Sequence, residues 1–316
     1  MNDKPLLASA ATKPALALLS AALASYSLCS NASVVALGSA TDASGKLTVT
    51  TFYEQASSAQ QHWNNFAVTV PSGYVVIGGG VVGCNNPGNY LVASYPSSDL
   101  TTWYVSTKDQ AQTDACQIQG YAIGLQIAGL TAAQVASYIF VATQQSSTSE
   151  YPNVGSNVPG NYILLGGGFN TNYGSGAGNI ATALYPSGYP ADGAAMIFDS
   201  KDQVYSDAVS ATVYAIGILN SIPGVGYIQP IQYSQSFSSV SNVEYPTVSI
   251  NLPYGFVLTG CGAYDQWSGA GNLLWELFPY IVSNSSQTCV AAGKDDTYVG
   301  YATQFTTYAL GIQVTP

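Results

Sequence analysis

The chain has 316 residues and a net charge of −10, and only 7% of its residues are charged. All six basic residues are lysines, so no guanidinium is present to read guanine or clamp a phosphate. Because nucleic-acid binding depends on basic side chains that neutralise phosphates, this composition argues against nucleic acid and against anionic lipid as partners. Glycine, serine, asparagine and 24 tyrosines supply the polarity instead, as in many adaptable extracellular surfaces.

Residues 1–32 differ from the rest of the chain. An alanine-rich apolar run from Ala15 to Leu28 follows two lysines and precedes the small-residue sequence Ser30-Asn31-Ala32. This pattern is typical of a secretory signal peptide, and the run is too short to span a membrane stably, so no transmembrane span is expected. The alternative is a retained assembly segment that packs on its own domain or on a neighbouring subunit.

Three copies of one repeat follow. In each copy a strand-like run ends in a glycine triplet, and Gly-Asn, aromatic-Pro, Lys-Asp and Tyr-Ala-aliphatic-Gly steps come after it in the same order. Successive Lys-Asp steps are 93 residues apart. The triplets are Gly78-Gly79-Gly80, Gly166-Gly167-Gly168 and Gly260-Cys261-Gly262. We assign the repeats to residues 33–130, 131–223 and 224–316, and the lack of long linkers favours one composite domain.

Each copy predicts β structure. Segments such as residues 161–165 and 209–218 are rich in Val, Ile, Tyr and Thr and are bounded by Gly, Pro, Asn and Ser. Five or six strands per copy are expected, with no amphipathic helix after about Ser58. The glycine triplets stand where strands end, and glycine there usually marks a bulge or a close backbone approach.

Four of the five cysteines fall in pairs within single copies. Cys84 and Cys116 lie in the first copy and Cys261 and Cys289 in the third, whereas Cys29 is left over. Without Cys-x-x-Cys spacing, such pairs favour two structural disulfides over a zinc site. Disulfides indicate an oxidising compartment, so an extracellular or cell-surface location is expected.

The loops after the glycine triplets are the candidate ligand site. They combine amide, carboxylate and aromatic side chains, which can bond to sugar hydroxyls and stack on sugar rings. The alternative is ordinary turn chemistry. The candidate residues are Asn85, Asn89 and Tyr90 in the first copy, Asn172, Tyr173 and Asn179 in the second, and Tyr264, Asp265, Trp267 and Asn272 in the third.

The Lys-Asp steps are interpreted as structural charges. Neighbours in a strand point to opposite faces, so each side chain is expected to bond across strands or in the following turn rather than to its neighbour. A symmetric anion or glycan site is the alternative. The steps are Lys108-Asp109, Lys201-Asp202 and Lys294-Asp295.

Catalysis is not expected. The single histidine, His62, aligns with Glu150 and Glu244 in the other copies, which favours a loop-anchoring role over that of a general base. No nucleophile elbow, phosphate loop or zinc-binding helix motif is present, and no cofactor or metal is predicted. A carboxylate pair for glycoside cleavage would not be visible in sequence.

Residues 73–80 (GYVVIGGG), with residues 91–96, 103–109 and 121–125, resemble repeats of β-prism-like modules in secreted bacterial proteins, some of them attached to perforin-like toxins. The resemblance covers about residues 66–316, is strongest in the first copy and includes no pore-forming domain. It implies an all-β, pseudo-threefold β-prism that contacts membranes or glycans. Three tandem β-sandwiches are the alternative fold.

Two functions follow as hypotheses. The first is a non-catalytic, lectin-like or adhesin-like module that recognises a glycan or cell-surface ligand. The second is a self-assembling structural subunit of an extracellular filament, sheath or surface layer, whose partners are copies of itself. The low charge and the apolar N-terminal segment, which could complete a neighbour's sheet by strand addition, favour the second.

Overall fold

The computed structural model describes residues 34–84, 89–173, 178–189, 193–204, 206–238, 246–267, 269, 271–295 and 303–315. The predicted signal-like or assembly segment, residues 1–32, lies outside the described residues, as do Cys29 and Asn85. The residues from Asn31 to Pro316 belong to one compact unit.

Twenty strands and one short helix are described. In chain order they are β1 Val35–Thr41, β2 Leu47–Gln55, β3 His62–Thr69, β4 Val75–Val82, β5 Asn89–Pro96, β6 Thr102–Asp109, β7 Gln119–Ile127, α1 Ala132–Ser137, β8 Ile139–Gln145, β9 Asn153–Asn157, β10 Tyr162–Asn170, β11 Ile180–Ser187, β12 Ala195–Lys201, β13 Thr212–Leu219, β14 Ser221–Ile222, β15 Gly226–Ser238, β16 Thr247–Asn251, β17 Val257–Asp265, β18 Leu273–Ser283, β19 Ser286–Lys294 and β20 Gln304–Thr315.

The strands form three antiparallel sheets, which confirms the prediction of an all-β fold. Their orders are β1-β2-β7-β4-β18-β19-β16 in sheet 1, β3-β6-β5-β10-β13-β8 in sheet 2 and β14-β15-β20-β17-β11-β12-β9 in sheet 3. Each sheet joins strands from two sequence repeats, through the pairs β4 with β18, β5 with β10, and β11 with β17. A row of three self-contained sandwiches does not fit this topology.

The first glycine of each triplet follows a β-bulge and lies where two sheets approach each other. The bulges fall between Val76 and Gly78, Leu164 and Gly166, and Leu258 and Gly260. A Cβ added at Gly260 would lie 2.7 Å from the Gly166 Cα and 2.6 Å from the Leu165 carbonyl oxygen, distances that real side chains do not adopt. Both roles predicted for these glycines, bulge and close approach, therefore occur. The prediction that strands end at the triplets is wrong, because β4, β10 and β17 continue past them after the bulge.

The third glycine of each triplet has no side chain, which leaves room for the aromatic-Pro step of another repeat to pack against it. A Cβ at Gly80 would meet Phe278 Cα at 2.5 Å, and one at Gly168 would meet Tyr95 Cα at 2.8 Å. The aromatic rings then stack on the tyrosine of a closing step, as Tyr121 does on Phe278 with ring centroids 4.7 Å apart. Side-chain-free backbone on one strand thus allows aromatic packing at the joint between repeats.

Two disulfides are present, as predicted. Cys84–Cys116 joins the residues after β4 to those before β7, with a Cα–Cα distance of 5.6 Å. Cys261–Cys289 joins β17 of sheet 3 to β19 of sheet 1 across 5.5 Å. The first disulfide therefore fixes a loop, and the second ties two sheets together.

One short helix, which the sequence did not indicate, follows Ser58. Helix α1 has only six residues, too few to show a helical period in sequence. It is held by a capping box, in which the Thr131 hydroxyl accepts from the Gln134 N–H while the Gln134 side chain accepts from the Thr131 N–H. Within the described ranges, no helix is long and apolar enough to cross a membrane.

Candidate functional site

The lysine of each Lys-Asp step is buried and reaches into a loop of another repeat. Lys201 Nζ donates to the carbonyl oxygens of Gly269 (2.7 Å) and Gly271 (2.6 Å). Lys294 Nζ donates to the Cys84 carbonyl at 2.8 Å, and Lys108 Nζ donates to that of Gly178. The three ammonium groups thus replace lost hydration with backbone carbonyls, as a buried charge requires.

An aromatic ring lies beneath each ammonium group. Nζ is 4.4 Å from the ring centroid of Tyr173 for Lys108, 4.4 Å from that of Trp267 for Lys201, and 4.6 Å from that of Tyr90 for Lys294. These are cation–π distances, and the interaction strengthens when water is excluded. We call each lysine, with its ring and carbonyl partner, a lysine corner. The corners connect the first repeat to the second, the second to the third and the third to the first.

Burial shifts the titration of these cations. It lowers the pKa of Lys108 to about 8 and the pKa of Lys294 to about 7, because the charged form loses its hydration. Nearby aspartates, Asp207 and Asp202 for Lys108 and Asp114 for Lys294, oppose the shift only in part.

The aspartates of the three steps order backbone near the corners. Asp109 Oδ2 accepts from the Asp114 N–H at 3.1 Å, and Asp202 Oδ2 accepts from the Asp207 N–H at 2.6 Å. Asp295 Oδ1 accepts from the Asn272 N–H at 2.9 Å. The exposed His62 bonds to the first of these aspartates, with Nε2 2.5 Å from Asp109 Oδ1. These contacts anchor loops.

Several of the sequence-predicted ligand residues face inwards. Asn89, Asn179 and Asn272 are fully buried, and the last two have φ of 62° and 57°, a left-handed turn conformation that asparagine tolerates. Tyr90 is also buried, beneath Lys294. Asn172 is half-buried and donates through its amide to the Ser210 carbonyl at 2.9 Å. These positions hold loops together and offer little surface to a ligand.

The three predicted residues Tyr264, Asp265 and Trp267 meet in a cleft of about 490 Å³ beside the Lys201 corner. The opposite wall comes from the second repeat, with Tyr151, Asn153 and Asp199. Tyr151 stacks on Trp267, with ring centroids 5.6 Å apart and an interplanar angle of 22°. Because 54% of Tyr151 is exposed, its outward ring face is the broad apolar surface of the cleft.

Two carboxyl groups border this cleft in different states of burial. Asp199 is half-buried, accepts from the Asn153 amide, and has a pKa that burial raises. Asp265 is fully buried, and burial raises its pKa to about 7 although the Thr303 hydroxyl donates to Oδ1. Its Oδ2 has no hydrogen-bond partner among the described residues. Asp265 is therefore a supporting group under the cleft, and Asp199 is the acceptor a ligand could reach.

Sequence reasoning missed Tyr151, Asn153 and Asp199. Tyr151 lies in the bend before β9, Asn153 in β9 and Asp199 in β12. The first two precede Trp267 by about 115 residues, so only the fold brings these side chains together. One signal was available. Tyr151 occupies the place of Trp63 in the repeat alignment, next to the polar position shared by His62 and Glu150.

A second cleft, of about 510 Å³, lies on the face of sheet 2 and is lined by Tyr95, Tyr104 and Tyr214. Tyr95 stacks on Tyr214 with centroids 5.3 Å apart. No carboxylate or amide side chain lines this cleft, so it offers aromatic surface with few groups to orient a polar ligand.

Among the described residues, no group of three or more His, Cys, Asp or Glu side chains is arranged to hold a metal ion. No protein-family model matches the chain, and a comparison with curated proteins finds no match.

Proposed function

We propose that this protein is a non-catalytic extracellular recognition module that binds a glycan in the cleft beside Trp267. The observation that carries the proposal is the meeting of a stacked aromatic pair, Tyr151 and Trp267, with the polar groups of Asn153 and Asp199 in one open cleft. A sugar presents an apolar ring face and a rim of hydroxyls. The tyrosine ring supports the face, and the amide and carboxylate bond to the rim.

A non-catalytic role fits the burial of the carboxyl groups better than glycoside hydrolysis. Hydrolysis needs two carboxyl groups that both touch the substrate. Asp265 is fully buried beneath the cleft, so only Asp199 is placed to meet a ligand. The two disulfides indicate an oxidising compartment, which supports an extracellular or cell-surface location for such a module.

The arrangement we propose for the repeats is a pseudo-threefold β-prism, in line with the resemblance to β-prism-like modules. It is supported by the three inter-repeat strand pairs and by the lysine corners, which connect the repeats in a closed cycle. In this arrangement the glycine triplets lie near the axis, where only bare backbone fits.

The test is a glycan array, followed by calorimetric titration of the best ligand with variants. We expect Tyr151→Ala and Trp267→Ala to weaken binding by about tenfold or more, which corresponds to about 1.4 kcal/mol. Tyr254→Ala removes a tyrosine that is 75% exposed outside the cleft and serves as the control for Tyr151. Tyr173→Ala removes the equivalent ring under Lys108 and controls for lost stability in Trp267→Ala.

Binding that survives both cleft variants would contradict the proposed site. Turnover of a glycan that disappears in Asp199→Asn would show an enzyme instead of a binding module. A complete absence of ligands on a broad array would remove the recognition function itself.

A second candidate function, the self-assembling structural subunit, is favoured by a separate observation. Two of the three sheets have a long strand whose outer side is largely uncovered by other described strands, β8 in sheet 2 and β15 in sheet 3. The edge strand β14 covers β15 only at Gly226 and Tyr227. Uncovered edges are templates for pairing with another chain. Negative-stain microscopy and sedimentation of the natively isolated protein distinguish discrete particles from polymers.

A further inference from the structure

The edge strands of the three sheets differ in how well they are protected against pairing. Natural proteins blunt edges with very short strands, bulges or charged side chains. Here β9 and β16 have only five residues each, and β1 and β3 carry a bulge in their register with the neighbouring strand. Four of the six sheet edges are therefore guarded.

A proline on the edge is a further guard. β8 has none of these guards, and β15 has Pro230 alone, which leaves residues 231–238 unguarded. β8 has seven residues and β15 thirteen, and neither contains a charged residue or a register shift. The two-residue β14 pairs only with Gly226 and Tyr227 of β15. The Ile228 N–H of β15 also donates to the Asn220 carbonyl on this side. No further described strand pairs with the outer side of β8 or β15.

The first repeat shows how such an edge can be covered by another strand. Its corresponding strand, β2, is covered along most of its length by β1, which pairs with it antiparallel from Val35↔Tyr53 to Thr41↔Thr48. No described strand plays the part of β1 for β8 or β15. The same kind of edge is thus completed once within the chain and left open twice.

Exposed apolar side chains concentrate on the two open strands. Of the ten large hydrophobic residues that are exposed in the described ranges, four lie on β8 or β15. They are Phe140, Tyr227, Tyr233 and Phe237. An edge that is both unpaired and flanked by apolar side chains is typical of an interface with another chain.

We propose that β15 of one copy pairs with β8 of a second copy, so that copies of this chain join head to tail into a filament. This inference deepens the second candidate function and rests on it. Each copy carries one strand of each kind, on different sheets, so the contact is heterologous and can propagate. Both strands are uncharged, so the contact brings no strand charges together although each copy has a net charge of −10.

The outward-facing backbone groups can be assigned from neighbouring hydrogen bonds. The Ile228 N–H donates to the Asn220 carbonyl at 2.9 Å, on the side of β15 away from β20, so Ser234 also directs its N–H outwards. The Ser146 N–H donates to Ala211 on the β13 side of β8, so Thr143 directs its N–H outwards. A proline at Ser234 or Thr143 removes an outward donor and leaves the bonds within the sheet intact, as Pro230 already does.

The experiment compares the full chain with Ser234→Pro and Thr143→Pro by sedimentation and negative-stain microscopy. The native chain is expected to form filaments, and each variant alone is expected to be monomeric. A one-to-one mixture should give dimers, because the Ser234→Pro chain keeps an intact β8 and the Thr143→Pro chain an intact β15. Ser249→Pro makes the same change at an outward N–H of the guarded strand β16 and should polymerise like the native chain.

Circular dichroism and thermal melting check that the variants fold, and Ser234→Lys, which guards the edge by charge instead, should also be monomeric. Dimers formed by either proline variant alone would overturn the head-to-tail pairing in favour of like strands. Filaments that persist in both variants would overturn the edge assignment and leave the structural-subunit function standing. A native chain that is monomeric at every concentration would overturn both.

Discussion

The Lys294 and Lys201 corners are built from the same kinds of contact, but they differ in how far their aromatic residues are enclosed. Lys294 lies over Tyr90, and its Nζ is 5.7 Å from the centroid of the Trp275 ring. Its carbonyl partner Cys84 is fixed by a disulfide. Lys201 lies over Trp267, which is half-buried and borders the open cleft. The first corner is closed on all sides that the structure describes, and the second leaves its aromatic partner within reach of a ligand.

The difference shows how a repeated structural contact can become a binding surface. A lysine–aromatic contact must be dry to be strong, so its natural place is the interior. At the Lys201 corner, Tyr151 provides the cover by stacking on Trp267, and the tyrosine itself remains exposed. A covering side chain that is accessible from outside is both a structural lid and an aromatic surface for recognition.

The largest expected effect is a pH dependence of the unfolding free energy that arises beside Lys201. Burial raises the pKa of Asp265, beside Lys201, from 3.8 to about 7, so between these values the folded chain binds more protons than the unfolded chain. The free energy of unfolding therefore falls as pH rises from about 4 to about 7, by up to about 1.4 kcal/mol per pH unit or about 4 kcal/mol in all. Asp265→Asn should remove this contribution to the slope of unfolding free energy against pH, as measured by urea unfolding between pH 4.5 and 7.

The control must account for Glu276, whose pKa burial also raises to about 7 and which acts with the same sign. Asp265→Asn should therefore flatten part of the native slope, and the double variant with Glu276→Gln should flatten more of it. Asp199, whose pKa burial also raises, contributes to the slope that remains. Asp99→Asn changes an exposed carboxylate whose pKa is lowered by hydrogen bonds from Ser97 and Thr101, and should leave the slope in place. An unchanged slope in Asp265→Asn would mean that this carboxyl is not buried as described.

The second effect concerns the disulfide that only the Lys294 corner has. Cys84 and Cys116 are 32 residues apart, and a cross-link of that span is worth about 3.5 kcal/mol by restricting the unfolded chain. We expect the double variant Cys84→Ala, Cys116→Ala to lose about that much free energy of unfolding in urea, while glycan binding at the distant Trp267 cleft is retained. A loss below about 1 kcal/mol would show that the lysine contacts alone hold the corner.

The third effect tests the buried lysine itself. Lys294→Ala removes a fully buried side chain together with its carbonyl and ring contacts, and should cost about 2–3 kcal/mol of the free energy of unfolding. Lys46→Ala is the matched control, because Lys46 also donates to a backbone carbonyl, that of Val225, but is half-buried and has no ring beneath it in the described residues. Equal losses would contradict a special role for the corner.

The same variant tests the opposite sign of pH dependence at this corner. Burial lowers the pKa of Lys294 from 10.5 to about 7, so the folded chain binds fewer protons than the unfolded chain between these values. The native free energy of unfolding should rise with pH in that window, and Lys294→Ala should reduce the rise. A chain that is less stable at pH 9 than at pH 7 in both forms would contradict this assignment.

The fold was predictable where the signal is local. Alternating apolar residues and glycine triplets indicate strands with a bulge or a close approach at the triplet, and both occur at Gly166 and Gly260, although the strands do not end there. The pairing of β4 with β18 was not predictable, because strands of similar sequence give no signal for which repeat supplies a neighbour. Helix α1 was missed because six residues hold too little period.

Only one wall of the cleft beside Lys201 could be predicted from the sequence. Tyr264, Asp265 and Trp267 are adjacent in sequence and do reach one cleft, whereas Asn179 and Asn272 have the same residue types and are buried in left-handed turns. Local composition cannot separate a ligand-facing amide from one that fixes a turn. The burial of the three lysines could not be predicted for a related reason, because their contact partners lie in loops of other repeats.

The smallest expected effect is that of removing the exposed histidine at the Lys108 corner. His62 bonds to Asp109, but its side chain is 56% exposed, so water and salt screen the pair. His62→Ala should therefore cost less than about 1 kcal/mol of unfolding free energy and should leave glycan binding at the Trp267 cleft unchanged. Asp109→Asn should cost more, because Asp109 also accepts from the Asp114 N–H and orders the loop beside Lys108. If His62→Ala abolished binding, the ligand would have to contact the Lys108 corner, and the assignment of the glycan site to the Lys201 corner would fail.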